Sequence, residues 1–153
     1  MKVLEFGTYL AAPLAGRYLS DLGFDVVCVT RPSNARGYDD EYDFMSHMTH
    51  DIRRGKHVVE LDLLTEEGLD RAHELIKTCD VVLENFGSGV ANRIGIGFEK
   101  CSELNAHIVY VSIPGYSKNH KGTPLRAWDS IIMASTGVFS DMGLNRTLRG
   151  VSA

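Results

Sequence analysis

The residues with the clearest chemical potential form one short segment in the middle of the chain. Glu84-Asn85-Phe86 ends an apolar stretch, a Gly-Ser-Gly turn follows, and Arg93 lies about one helical turn further on. Backbone amides at the start of a helix bind phosphate oxygens, and an aromatic ring such as that of Phe86 packs on a base. A Gly-x-Gly turn alone is a weak signal, but this position predicts a site for a phosphate-bearing nucleotide.

Two further segments are candidates for contact with the same ligand. Gly7–Pro13 follows the first apolar run and is rich in small residues, which let a ligand approach the backbone. A plain strand-to-helix turn explains it equally well, and it lacks the G-x-G-x-x-G fingerprint of dinucleotide-binding domains. Arg31 follows the second apolar run, where an NAD-binding domain would have an acid. It therefore suits the phosphorylated ribose of NADP or coenzyme A, although an exposed arginine there is also unremarkable.

Other polar clusters give weaker signals. His47 and His50 have a spacing that suits a metal on a helix, but no third ligand is evident, so no metal site is predicted. The basic segment Arg53–Lys56 either meets phosphate or balances the acidic run Asp39–Asp43. Asp129 is either a catalytic carboxylate or a residue that starts a helix. No Ser-His-Asp or Cys-His signature is present, so no catalytic residue is assigned.

The elements that must position these residues alternate between strands and helices. Val-rich and Leu-rich runs predict strands, and apolar residues at helical spacing predict helices. The predicted strands are Lys2–Phe6, Phe24–Thr30, Val58–Leu63, Val81–Leu83 and Ile108–Ile113, and the predicted helices are Pro13–Leu22, Thr65–Ile76 and Trp128–Phe139. This alternation is typical of an α/β fold, a Rossmann-like parallel sheet with helices on both faces, whose ligands bind beyond the carboxyl ends of the strands.

Finer features of the pattern predict burial, caps and one long loop. The continuous apolar runs from Phe24, Val58 and Val81 predict strands covered on both faces. Gly23 is predicted to end the first helix and Thr65 to cap the start of the next. The polar segment Arg31–Asp51 is predicted to be a ligand-facing loop.

Length and composition exclude several classes of protein. The chain has 153 residues, which predicts either one domain or one domain with a tail. Its 16 Lys and Arg against 20 Asp and Glu give a net charge of −4, so no nucleic-acid partner is expected. The mean hydropathy is −0.10 and charges interrupt every apolar run, which predicts no membrane span. Three widely spaced cysteines without a signal peptide indicate reduced thiols in a cytoplasmic protein. Cys28 and Cys79 lie in apolar runs and are predicted to be buried.

Taken in order, these segments resemble the N-terminal part of the family III CoA-transferases, the CaiB/BaiF group. The most specific stretch is Glu-Asn-Phe-Gly-x-Gly at 84–89, followed by Arg-Ile-Gly at 93–95. Further matching stretches are residues 4–6, 11–27, 54–63, 65–68, 80–83, 108–116 and 128–137. The resemblance therefore covers nearly the whole chain.

The resemblance implies a fold, an assembly and a reaction. Residues 1–153 would be the N-terminal part of a Rossmann-like large domain, with the small domain and the C-terminal return to the large domain absent. Family members form interlocked homodimers and move CoA between small carboxylic acids through an acyl–aspartyl anhydride and an aspartyl-CoA thioester. The nucleophilic aspartate would lie a few residues beyond Ala153, so a truncated piece without turnover is expected. CoA is then a substrate, with no tightly bound cofactor.

The resemblance also assigns binding residues by position. The residues expected to contact CoA are Arg31, Leu61, Asn85, Phe86, Val90 and Arg93. Leu10 and Ala11 are expected near the reacting acyl group.

Three departures from the family pattern bear on the substrate. Leu10 replaces the glutamine of formyl-CoA enzymes, which argues against oxalate, and Leu64 replaces a lysine that helps hold CoA phosphate. Trp128 replaces the histidine of the racemases of this family, so a racemase's acid–base pair is missing. A related α-methylacyl-CoA racemase, a non-catalytic nucleotide-binding module and an NADP-dependent reductase remain as alternatives.

Overall fold

The computed structural model describes residues 1–32, 46–116 and 129–138, without the side chains of 46–49 and 129. Its internal contacts divide the chain into two compact units, Met1–Ile113 and Pro114–Ala153. The strands are β1 Lys2–Phe6, β2 Asp25–Thr30, β3 His57–Glu60, β4 Val81–Glu84 and β5 Val109–Ser112. The helices are α1 Ala11–Asp21, α2 Ser46–Arg53, α3 Glu66–Lys77, α4 Val90–Ile94, α5 Phe98–Leu104 and α6 Asp129–Ser135.

The five strands of the first unit form one sheet in the order β3-β2-β1-β4-β5. All four strand pairs are parallel, so the carboxyl ends of all five strands lie along the same edge. The chain builds outwards from β1 to β3 and then returns to place β4 on the other side of β1. This reversal creates a switch point between β1 and β4, the place where ligands of such sheets bind.

Helices cover both faces of this sheet, as predicted. Successive side chains of a strand point to opposite faces. Val3 of β1 packs with Ala12 and Leu19 of α1 on one face, whereas Leu4 packs with Ile76 of α3 on the other. The α/β fold with a Rossmann-like parallel sheet is therefore confirmed.

The prediction that Val58–Leu63 is a strand covered on both faces is wrong. The observed strand β3 is shorter and ends the sheet, and Val58 is 44% exposed. Val59, Leu61 and Leu63 pack against the core on the α3 face. Only alternate residues of the run are covered, because an edge strand carries fewer neighbours than a central one.

The prediction of a loop over Arg31–Asp51 is also wrong in its last part. Ser46–Arg53 forms α2, which packs beside α1 and buries Ile52. Apolar residues are sparse in this segment, so its helical spacing gave little signal. Residues 33–45 lie outside the described residues.

The end of α1 and the start of α3 are capped by the residues that the sequence predicts. Gly23 has a φ of +87° and donates its N–H to the carbonyl of Ser20 at 3.0 Å, while Phe24 donates to Leu19 at 3.0 Å. These two bonds form the Schellman motif that a glycine at this position favours. The side chain of Thr65 accepts the N–H of Gly68 at 3.1 Å, as a helix N-cap does.

The three thiols are buried, as predicted for Cys28 and Cys79. Burial raises the pKa of Cys28 and Cys101 to about 12 and that of Cys79 to about 11. In the second unit, α6 confirms the predicted helix at Asp129–Ser135, whereas Trp128 and Phe139 lie outside the described residues. None of the helices described is long and apolar enough to cross a membrane.

Candidate functional site

The site residues predicted from sequence all lie on segments that follow strands at the carboxyl edge of the sheet. We call this edge the rim. It comprises Gly7–Ala11 after β1, Arg31 after β2, Leu61 after β3 and Asn85–Arg93 after β4. The first and last of these segments meet at the switch point.

Asn85 joins the two segments at the switch point. Its side-chain oxygen accepts the backbone N–H of Thr8 at 2.8 Å, and its side-chain nitrogen donates to the backbone carbonyl of Thr8 at 2.8 Å. We call this pair of bonds the Asn85–Thr8 clamp. An amide group has two N–H donors, so one donor of Asn85 stays available to a ligand.

The turn held by the clamp contains an unusual backbone conformation. Tyr9 has a φ of +61°, the only positive φ of a non-glycine residue within the described parts of the chain. This region is unfavourable for a bulky side chain. Tyr9 and Leu10 are 50% and 41% exposed, and Ala11 is exposed beside them. No glycine or asparagine marks this positive φ in the sequence, so the special conformation of Tyr9 could not be predicted.

The segment after β4 is anchored by a buried carboxylate. Glu84 is only 3% exposed, and its carboxylate accepts the backbone N–H of Phe86 at 2.7 Å. The ring of Phe86 is partly buried against the core on the α3 face. Sequence reasoning did not assign a role to Glu84, although a charge at the end of an apolar strand is a usable signal.

Helix α4 brings Arg93 to the rim. Its N-cap Gly89 has a φ of +74°, and the N–H of Val90 already donates to the carbonyl of Gly87 at 3.0 Å. Arg93 is exposed, and His73 of α3 fixes the end of α4 through a 2.8 Å hydrogen bond to the carbonyl of Gly95. In so short a helix, the side chain of Arg93 is a stronger anion-binding group than the amides.

Leu61 lies beside the end of β2, since its N–H donates to the carbonyl of Thr30, the residue before Arg31, at 2.9 Å. It also lines an open groove of about 800 Å³ between the end of β3 and α3, where the described lining residues include one cation, Arg71. The acidic residues that line this groove are Glu60, Asp62, Glu66, Glu67, Asp70 and Glu74. The β3 end of the rim is therefore strongly negative.

The expectation that the basic segment Arg53–Lys56 meets phosphate or balances the acidic run is wrong for Lys56. Its ammonium group is fully buried, pairs with Glu5 at 2.7 Å and donates to the carbonyl of Pro13 at 2.7 Å. The thiol of Cys28 donates to the same carboxylate at 3.3 Å. This ion pair lies under α1, on the face of the sheet that carries Val3.

Nothing in residues 1–32, 46–116 or 129–138 forms a group of three or more His, Cys, Asp or Glu side chains placed to hold a metal. The side chains of His47 and Asp129 lie outside the described residues. His50 is exposed on α2.

Comparison with known proteins shows which family the chain belongs to. The profile of CoA-transferase family III matches residues 1–148. The chain belongs to this family. The resemblance stated from the sequence is thereby confirmed.

Similar proteins include several with curated activities. The chain is 34% identical, over 99% of its length, to the CoA-transferase/lyase DddD of Marinomonas sp. strain MWYL1, of which the match covers 17%. It is 30% identical, over 94% of its length, to the succinate–glutarate CoA-transferase of Agrobacterium fabrum, of which the match covers 38%. This family III chain therefore spans well under half of either relative.

Solved structures of the family share the fold. A hypothetical protein of Mycobacterium tuberculosis superposes with a TM-score of 0.77 at 29% identity, covering 90% of this chain and 39% of that one. A CaiB/BaiF family protein of Brucella suis gives a TM-score of 0.74 at 32% identity, covering 90% and 38%.

Proposed function

We propose that the protein containing this chain transfers CoA between small carboxylic acids, and that residues 1–153 form the CoA-binding, N-terminal part of its large domain. The observation that carries this proposal is the Asn85–Thr8 clamp, because it joins two loops at the switch point of a family III sheet. The names of similar proteins, among them a succinate–glutarate CoA-transferase, support transfer over racemisation.

The charges on the rim suggest how CoA is oriented. Arg31 directly follows β2 and Arg93 lies within α4, and both side chains are exposed. Guanidinium groups bind phosphate oxygens by paired, charged hydrogen bonds. The acidic groove beside Leu61 repels phosphate, so we place the phosphate groups of CoA against the guanidinium groups of Arg31 and Arg93 and outside the groove. Contact between CoA and Leu61 is then restricted to an uncharged part of the carrier.

The apolar part of the rim suits the other end of CoA. Leu10 and Ala11 are exposed at the start of α1, next to the clamped turn. The pantetheine arm carries no charge, in contrast to the phosphate groups of CoA. We therefore place the thioester near Leu10 and Ala11, with Asn85 and Val90 beside the arm and Phe86 against its nucleotide end.

Transfer needs a carboxylate that takes the acyl group and then carries CoA as a thioester, since a covalent step divides one difficult exchange into two easier ones. The family resemblance puts this aspartate outside residues 1–153. We therefore expect this chain to bind CoA as substrate without turning it over. The homodimer and the cytoplasmic location implied by the resemblance belong to the same proposal.

The test is calorimetric titration of the 153-residue chain with CoA and, separately, with NADP. We expect CoA to bind and NADP to bind at least ten times more weakly. Arg31→Ala and Arg93→Ala should each weaken CoA binding about tenfold, which corresponds to about 1.4 kcal/mol. Arg54→Ala is the matched control, because this exposed arginine precedes β3 at the opposite edge of the sheet.

Three results would contradict the proposal. These are no binding of CoA, equal binding of NADP, or an equal loss of affinity in the Arg54 variant. Turnover of acyl-CoA and a carboxylic acid by the chain alone would contradict the placement of the nucleophile.

A further inference from the structure

Two carboxylates are buried in the described part of the chain, and they differ in their partners. Glu5 is paired with Lys56, so its charge is balanced. Glu84, at the rim, accepts the backbone N–H of Phe86 at 2.7 Å. Burying a carboxylate costs free energy unless its oxygens accept hydrogen bonds. The contacts of Glu84 therefore indicate its structural role.

Tyr110 of β5 lies near Glu84 on the same face of the sheet, because Glu84 pairs in register with Ser112, two residues after Tyr110. Burial, together with the carboxylate of Glu84, raises the pKa of the Tyr110 hydroxyl. The hydroxyl also lies 3.2 Å from the carbonyl oxygen of Ile96, within hydrogen-bonding distance. Glu84 and Tyr110 thus form one polar cluster between β4 and β5, on the α3 face.

This cluster touches both ends of one segment of the rim. Residues 86–96, which we call the α4 segment, begin at the N–H that Glu84 accepts and end at the carbonyl that Tyr110 contacts. The segment carries Val90 and Arg93 between these two points. An apolar residue at position 84 would remove the anchor at the start, and phenylalanine at position 110 would remove the contact with Ile96 at the end.

We propose that Glu84 is a positioning residue for ligand binding, which fixes the α4 segment and so sets the position of Arg93 at the rim. The proposal rests on the proposed function for the identity of the ligand, CoA. It assigns Glu84 no contact with the ligand, since its carboxylate is buried beneath the segment.

The experiment compares four variants of the 153-residue chain. Glu84→Leu removes the acceptor, Glu84→Gln retains a side-chain oxygen that accepts the N–H of Phe86, and Tyr110→Phe removes the second contact. Leu83→Ala is the control, because Leu83 is the adjacent buried residue of β4 but packs on the opposite face, towards α1. Each variant is measured at a temperature where circular dichroism shows it to be folded.

Two readouts separate positioning from a loss of stability. In CoA titration we expect Glu84→Leu to lose affinity by up to about tenfold, the loss expected for Arg93→Ala, because the Arg93 guanidinium group is no longer held in place. Glu84→Gln should restore most of the affinity, and Leu83→Ala should stay within about twofold although it lowers the melting temperature. Amide hydrogen exchange at Phe86 should accelerate in Glu84→Leu and not in Leu83→Ala.

The outcomes distinguish this proposal from the proposed function. If the unmodified chain binds no CoA, the proposed function is wrong, and exchange at Phe86 still decides whether Glu84 anchors the segment. If Glu84→Leu does not fold, Tyr110→Phe carries the test, because it frees the other end of the α4 segment and should also weaken CoA binding. The proposal is overturned if folded Glu84→Leu, or Tyr110→Phe in its place, binds CoA as the control does, or if exchange at Phe86 is unchanged in folded Glu84→Leu.

Discussion

Asn85 holds Thr8 by both of its backbone groups, with a distance of 2.8 Å for each of the two hydrogen bonds. The two residues are 77 positions apart in the chain. Asn85 directly follows β4, and Thr8 lies two residues beyond the end of β1. The clamp therefore fixes the relative position of the two loops that form the switch point. A ligand contacting both loops finds them already arranged, which lowers the entropic cost of binding.

Replacing Asn85 by alanine should lower both stability and CoA affinity. Loss of the two bonds to Thr8 should reduce the free energy of unfolding by about 1–2 kcal/mol, measured by urea denaturation. CoA titration should show weaker binding, since the loops are no longer held together.

Asn105 provides the matched control for this prediction. Its side chain donates to the carbonyls of Cys79 at 2.8 Å and Ile76 at 3.4 Å, near the amino ends of β4 and β5. Asn105→Ala should cost similar stability without changing CoA affinity. An equal loss of affinity in both variants would show that the clamp has no special connection with the ligand.

The strain of the positive φ at Tyr9 should be measurable as a difference in the free energy of unfolding between two variants at this position. Glycine adopts this conformation freely, whereas a residue with a Cβ is strained by about 1–2 kcal/mol. Tyr9→Gly and Tyr9→Ala both remove the ring, so their difference isolates the backbone. We expect the glycine variant to be more stable than the alanine variant by about 0.5–1 kcal/mol, because the freedom of glycine in the unfolded chain offsets part of the gain.

Thermal and urea unfolding of the two Tyr9 variants check this order. In an ordinary strand or helix, alanine would be the more stable of the two. Equal stability, or a more stable alanine variant, would mean that the turn relaxes to a negative φ in solution.

The central part of the fold could be predicted from the sequence because its signals are local. The Val-rich runs of β1, β2 and β4 are each buried on both faces, and Gly23 and Thr65 mark helix ends by their own chemistry. The edge strand β3 was predicted as buried, since a run of Val and Leu does not show how many neighbours cover it. Helix α5 was not predicted because its seven residues are too few to show a clear period.

The residue types of the candidate site could be predicted from the sequence, but the contacts that these residues make could be predicted less well. Arg31, Asn85 and Arg93 lie at the rim because each belongs to the segment that follows a strand, which is a local property. The bonds from Asn85 to Thr8 and from Lys56 to Glu5 link residues 77 and 51 positions apart. Such pairings depend on the strand order, so the sequence predicted either phosphate or the acidic run as the partner of Lys56, which is in fact buried in an ion pair with Glu5.

Gly16 is required by the buried ion pair. A Cβ at this position would clash with the carboxylate of Glu5 and lie 3.2 Å from the Lys56 ammonium group. Alanine in place of glycine usually stabilises a helix by about 0.5–1 kcal/mol. Here we expect the opposite sign, a loss of about 1–3 kcal/mol, since the carboxylate must move from its partner.

Chemical denaturation of Gly16→Ala checks the sign of the change in the free energy of unfolding, with Gly87→Ala as the control. A Cβ at Gly87 would have only the Val90 side chain nearby, at 3.9 Å, so its effect on stability should stay within about 0.5 kcal/mol. A Gly16→Ala variant as stable as the unmodified chain would show that the helix shifts away from Glu5 at little cost.

The buried thiols should make stability fall at high pH. Burial raises the pKa of Cys28 and Cys101 to about 12 and that of Cys79 to about 11, from an ordinary value of 9.0. Unfolded thiols lose their protons above pH 9 while the folded ones keep them, so ionisation favours the unfolded chain. The stabilising effect of the protonated thiols is complete below pH 9 and is lost as pH rises from 9 to 12, at up to about 1.4 kcal/mol per thiol and pH unit.

Urea unfolding at pH 8.0 and at two values between pH 9 and 11 measures this loss. Lysine and tyrosine side chains also titrate in the range, so the comparison is with the triple variant Cys28→Ala, Cys79→Ala, Cys101→Ala at the same pH values. We expect the triple variant to be less stable at pH 8.0, because three buried side chains are shortened, but to lose less stability per pH unit above pH 9. Equal slopes for the two chains would mean that the thiols ionise in the folded protein, and hence that water reaches them beneath α1 and α5.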